Sequence, residues 1–168
     1  MKQKNVAIFF IGSKEFGGLK DAKKWLDRYP EITAMAKVVP FFVPTLPNIS
    51  SPDFWESLAG KIYKEWDKFD GSVVFHPSES VIYSAAAVSF QIAPLNKPIV
   101  FTGAFMAPSA GKKSEKAREL EEMSPRANII NAVQVATMDV AEVILLSGNR
   151  LIRAVRAERA TNPYLTED

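Results

Sequence analysis

Residues 70–106 read DGSVVFHPSESVIYSAAAVSFQIAPLNKPIVFTGAFM, and this stretch decides the fold. Residues 72–75 form a short apolar run rich in β-branched side chains, opened by the turn pair Asp70-Gly71, as a buried strand would be. His76-Pro77-Ser78-Glu79-Ser80 interrupts it with three oxygen-bearing side chains. Residues 81–93 then read as a buried helix, and Lys97-Pro98 restarts extended chain for residues 99–101, ended by Thr102-Gly103. Strand, turn, helix and strand in that order build a parallel sheet, and open α/β sheets take their ligands at the carboxyl ends of the strands. The turns at 76–80 and 102–103 are therefore the first places to look for chemistry.

Working outward, residues 6–11 are an unbroken apolar run, which predicts a strand covered on both faces. Gly12-Ser13-Lys14 is its carboxyl-end turn, followed by Gly17-Gly18. Residues 19–29 place Leu19, Ala22, Trp25, Leu26 and Tyr29 on one helical stripe, and Pro30 is expected to end that helix. Residues 37–43 are extended, with Pro40 marking an edge strand or an irregular one. Ser51-Pro52 is a helix start, a serine cap with proline in the first turn. Trp55, Leu58, Ala59, Ile62, Tyr63 and Trp66 then recur at helical spacing and are expected in the core. Residues 111–126 are the most charged segment and read as a solvated helix, residues 127–138 as a packed one, and residues 142–146 as a further buried strand. Gly148-Asn149 is a turn, residues 151–159 are mixed, and residues 161–168 are a polar tail expected to fray. Strands alternating with helices predict one α/β domain, Rossmann-like or flavodoxin-like, with a mostly parallel sheet and helices on both faces.

Composition narrows the function classes. The 168 residues are 47% hydrophobic and 24% charged, an ordinary globular balance, and the net charge of +2 gives no field aimed at nucleic acid or at a membrane surface. The chain has no cysteine and one histidine, which excludes disulfides, thiolate nucleophiles and Cys-type zinc sites and argues against any metal centre. The apolar run near the amino terminus is too short for a signal peptide, and no uncharged stretch reaches a bilayer span, so a cytoplasmic protein is expected. Gly111-Lys112-Lys113-Ser114 lacks the earlier glycine of a phosphate loop, Met106 standing there instead. No G-x-G-x-x-G follows a strand, and there is no G-x-S-x-G elbow. What remains is a hydroxyl-rich site without cofactor or metal.

Asp70-Gly71-Ser72-Val73-Val74-Phe75-His76-Pro77-Ser78-Glu79-Ser80 resembles the DGxVxxHGTDT segment of the bacterial-type asparaginases. Tyr83-Ser84-Ala85, Ser89-Phe90, Lys97-Pro98-Ile99-Val100 and Thr102-Gly103-Ala104 continue that resemblance without a gap. Pro52, Trp55 and Leu58 match the family's P-x-x-W-x-x-L helix, and Asn128, Ala132 and residues 156–162 resemble it downstream. The similarity covers residues 1–168 as an asparaginase amino-terminal domain, with no counterpart of the family's smaller carboxyl-terminal domain. The resemblance implies an amidohydrolase in which Ser13 stands at the nucleophilic threonine. Ser78 and Glu79 stand at the supporting threonine and aspartate. The family's lysine falls on Ala160, with Arg159 the nearest cation. Pro77 replaces a glycine, and with Thr102 and Gly103 it would border the substrate, a small amide or amino acid. The family also implies a homodimer or a larger homo-oligomer.

Each of these residues has a plainer reading. Ser78-Glu79-Ser80 could be a helix cap with an acid suited to the helix dipole. Ser13 and Thr102 could satisfy backbone groups at strand ends, Arg159 could be a surface residue, and His76 reads as structural rather than catalytic. Two functions therefore stand open. One is an asparaginase-like hydrolase with altered activity, and the other is an inactive chain of the same fold that binds a small ligand or a protein partner.

Overall fold

The computed structural model describes residues 3–45, 48–77, 80–103 and 115–158, with residues 115–124 described by their backbone alone. Strand β1 (Asn5–Ile11) pairs in parallel with β2 (Lys37–Val43) on one side and β3 (Gly71–Phe75) on the other. Strands β4 (Ile99–Thr102) and β5 (Val143–Ser147) extend the parallel sheet, and β6 (Arg150–Arg153) closes it antiparallel, giving the order β2-β1-β3-β4-β5-β6. Pro40 lies on β2 at the sheet edge, where a strand can lack one backbone donor without losing a ladder bond.

Helices cover both faces. Alternate residues of the strands, Val6, Ile8, Phe10, Val73 and Phe75 among them, meet α1 (Leu19–Leu26), α2 (Pro30–Met35) and the second half of α5 (Glu115–Ala136). The intervening residues, including Ala7, Phe9, Ile11, Val74 and Phe101, meet α3 (Pro52–Lys64), α4 (Val81–Gln91) and Ala154. On the first face Trp25 sits among Phe10, Phe16, Phe75 and Tyr29, with ring centroids 4.8–5.9 Å apart.

The expected α/β architecture is present, and four local expectations change. Pro30 does not merely end the first helix but opens α2 at its first position, where its missing N–H costs nothing. Residues 115–136 form one helix through Pro125 rather than a solvated and a packed one. The change from charged to apolar sequence does not mark where the helix stops. Tyr63 is 61% exposed, and Phe54 takes the core place on α3 together with Leu58 and Ile62. Tyr63 falls about 100° around the helix from Ile62 and so leaves the buried stripe. The start of the segment 151–159, read as mixed, belongs to β6 (Arg150–Arg153), which pairs back on β5 through a turn in which Gly148 has φ +60°, a region that favours glycine. Ser51 behaves as expected, its hydroxyl accepting the Phe54 N–H at 3.3 Å. Residues 111–114 and the tail at 161–168 lie outside the described residues.

Candidate functional site

The sheet order reverses at β1, because β2 lies on one side of it and β3 on the other. Open sheets bind ligands beyond the carboxyl ends of the strands at such a reversal, here β1 and β3. Gly12 and Ser13 leave β1 there, and His76 and Pro77 leave β3.

Ser13 is exposed on a turn held by its own local bonds. Its Oγ accepts the N–H groups of Glu15 and Phe16, each at 3.2 Å, and its backbone N–H donates to the Phe16 carbonyl at 3.1 Å. Phe16 anchors the turn by inserting between Phe10, Trp25 and Phe75. The hydroxyl therefore sits on an exposed turn whose far end is fixed in the core.

The turn after β3 is built in the opposite way. His76 is 1% exposed, and its N–H donates to the Thr102 carbonyl at 2.8 Å, stitching the ends of β3 and β4 together. Its Nδ1 lies 2.7 Å from the Pro77 carbonyl, which can only accept, so Nδ1 carries the proton. Nε2 then accepts the hydroxyl of Ser84 on α4 at 2.9 Å. Burial lowers its pKa to about 4, partly opposed by the bond to Pro77, so the ring is neutral at physiological pH. A serine and a histidine in contact suggest a nucleophile and a base, but Ser84 is as buried as the ring and no substrate reaches them. The pair fixes α4 to the strand end.

Thr102 is fully buried and its hydroxyl donates to the Leu146 carbonyl at 3.2 Å, tying β4 to β5. Gly103 is buried next to it, and a Cβ added there would overlap the His76 carbonyl oxygen, so only glycine fits. Asn128 on α5 completes this wall. Its side-chain N–H donates to the Gly103 carbonyl at 2.7 Å, and its Oδ1 accepts the Gly148 N–H at 3.1 Å. The sequence held a signal for Asn128, a polar side chain one helical turn before Ala132 on an otherwise apolar stripe. Such a residue must find buried partners, but nothing in its neighbourhood says which.

Of the expected site residues, Ser13, Pro77, Thr102 and Gly103 all stand at the carboxyl edge of the sheet, on the ends of β1, β3 and β4. Ser78, Glu79 and Arg159 lie outside the described residues. Ser80 occupies the cap position of α4 but makes no capping bond, and its buried Oγ has no partner among the described residues. Among those residues no group of three or more His, Cys, Asp or Glu side chains could hold a metal ion, and no helix is long and apolar enough to cross a membrane.

The family model described as asparaginase, N-terminal, matches residues 10–164 of the chain. L-asparaginase 1 of Escherichia coli K12 is 32% identical over 111 residues, 66% of this chain and 30% of that protein. A glutamyl-tRNA(Gln) amidotransferase subunit of Pyrococcus abyssi is 33% identical over 122 residues, 70% of this chain and 25% of that protein. The crystal structure of L-asparaginase I from Vibrio cholerae superposes with a TM-score of 0.74 at 26% identity, covering 96% of this chain and 49% of the other. The chain thus spans less than a third of these curated relatives and about half of the crystallised one.

Proposed function

The chain belongs to the asparaginase family through that family's amino-terminal domain, and we propose that it hydrolyses the side-chain amide of a small amino acid or a related small amide. The observation that carries this reading is the position of Ser13, an exposed residue just past the end of β1, where the sheet order reverses. Its Oγ attacks the amide carbonyl carbon, and its proton passes to the amide nitrogen, which leaves as ammonia. Water then cleaves the resulting ester, giving the acid and restoring the Ser13 hydroxyl. Ser78 and Glu79 carry the proton between Ser13 and the leaving nitrogen. Arg159 contributes charge only, because a guanidinium does not give up its proton in this range. His76 takes no part, since both ring nitrogens are engaged and buried. Pro77 and Gly103 border the substrate, and Thr102 holds that border in place through its own buried bonds. The mechanism needs neither cofactor nor metal.

Incubation of the purified chain with asparagine, glutamine and a panel of small amides should release ammonia, and Ser13→Ala should lower the rate by about 10³-fold or more. Equal rates for the two proteins would exclude Ser13 as the nucleophile. One observation favours a second reading, a binding domain without turnover: both lone pairs of Ser13 Oγ already accept backbone N–H groups. That reading predicts a raised unfolding midpoint with an amino acid or amide and no ammonia.

A further inference from the structure

A groove of about 410 Å³ runs between the end of α1, helix α2 and the outer strand β2. It borders the first half of β2, away from the turns at the carboxyl edge. Strand β2 brings unpaired backbone groups to it. The Lys37 N–H donates to the Lys4 carbonyl and the Val43 carbonyl accepts the Gly12 N–H, so the odd-numbered residues of β2 turn their backbone toward β1. Val38 and Pro40, which line the groove, therefore turn theirs to the free edge. Val38 offers a donor and an acceptor there, and Pro40 a carbonyl alone.

The remaining lining combines apolar surface with two opposite charges. Leu26 and Ile32 are buried and contribute apolar side chains, as do the half-buried Val38 and Pro40. Lys23 and Asp27 stand one turn apart on α1, both exposed, and neither forms an ion pair with a described residue. Asp27 is also the C-cap of α1, the end at which the helix dipole disfavours an anion. A carboxylate in that place is not explained by the helix itself, and a bound cation would stabilise it.

We propose that this groove binds a free α-amino acid with an apolar side chain. Asp27 and the outward carbonyls of β2 hold its ammonium group, while Lys23 and the Val38 N–H hold its carboxylate. Its side chain rests on Leu26, Ile32 and Pro40. A ligand of single charge would leave either Lys23 or Asp27 without a partner, whereas a zwitterion satisfies both. A peptide laid along β2 as an added strand would meet Pro40, which has no N–H to give it. The site is separate from the catalytic reading, because none of its residues follows the carboxyl end of a strand.

Ligand-observed NMR titration of the whole chain with L-leucine, which has no side-chain amide to hydrolyse, tests the proposal. Leucine should bind saturably, with a Kd of about 1 mM or below. Leucinamide lacks the carboxylate and N-acetylleucine lacks the ammonium, and each should bind about tenfold more weakly or worse. Lys23→Met and Asp27→Asn should each weaken leucine binding by a similar factor, with circular dichroism confirming that these surface variants fold. Ser13→Ala should bind leucine as the unaltered chain does, which keeps this site distinct from amide hydrolysis. No saturable binding up to about 10 mM leucine would overturn the proposal. Equal affinity for the three ligands, unchanged affinity in both α1 variants, or loss of binding in Ser13→Ala would overturn it as well.

Discussion

The turns that follow β1 and β3 lie side by side at the carboxyl edge, yet they are built on opposite plans. At the ends of β3 and β4, described polar groups are buried and paired with other elements: His76 with Thr102 and Ser84, Thr102 with Leu146, and Gly103 with Asn128. After β1, Gly12 still donates across to the Val43 carbonyl at 2.9 Å, but from Ser13 onward the bonds are local, joining Ser13 to Glu15 and Phe16, and the serine is exposed. A change in the first region must disturb several strands, whereas a change in the second disturbs one turn. The difference suits a site in which a rigid wall faces a reactive group. The wall gains its stiffness from cross-strand bonds, and Ser13 stays exposed among the described residues.

The comparison breaks most completely at Gly103. Gly103→Val would drive a side chain into the His76 backbone, and the strand ends would have to separate to admit it. The expected loss is on the order of 4 kcal/mol, near the upper limit for a single substitution, and urea unfolding would measure it. A loss below about 1 kcal/mol would mean that the wall is not rigid.

A smaller effect should come from the proton that His76 does not bind. Its folded pKa of about 4 lies below the ordinary 6.5, so below pH 6.5 the unfolded chain binds a proton that the folded chain refuses. The stabilisation is complete above pH 6.5 and is lost as the pH falls through 4, about 3 kcal/mol over that window. The carboxylates also titrate in acid, so the test is a difference. Unfolding free energy followed from pH 7 to pH 4 should fall more steeply for the unaltered chain than for His76→Gln. Parallel curves would show that the imidazole is not held neutral by the fold.

The same contrast explains how much the sequence revealed. Strand β3, its turn and strand β4 were legible because burial on both faces leaves a continuous apolar run, and the Ser51-Pro52 start of α3 is a local signal read within four residues. Pro40 left β2 either an edge strand or an irregular one, and the strand lies at the edge. The antiparallel β6 was hidden, since Arg150–Arg153 is half polar and its pairing depends on Gly148, a turn residue whose conformation the sequence does not specify. Burial of His76 against Ser84 was only partly legible, as a histidine at a strand end carries no mark of its depth. The roles given to Ser13, Ser78, Glu79 and Arg159 came from family resemblance alone. An isolated hydroxyl in a turn is chemically the same whether it caps or attacks, and only its surroundings tell the two apart.

Ser13 gives the smallest expected effect on stability and therefore the sharpest use of the comparison. Removing its Oγ frees the exposed N–H of Glu15, where water can replace the bond, and the part-buried N–H of Phe16. Ser13→Ala should cost less than about 1 kcal/mol in urea unfolding, since Phe16 still anchors the turn through Phe10, Trp25 and Phe75. A larger loss would place Ser13 with the structural wall and assign its hydroxyl to holding the turn. A small loss together with abolished ammonia release separates the two regions by function as well as by construction. The residue that the fold can best spare would then be the one that the reaction cannot.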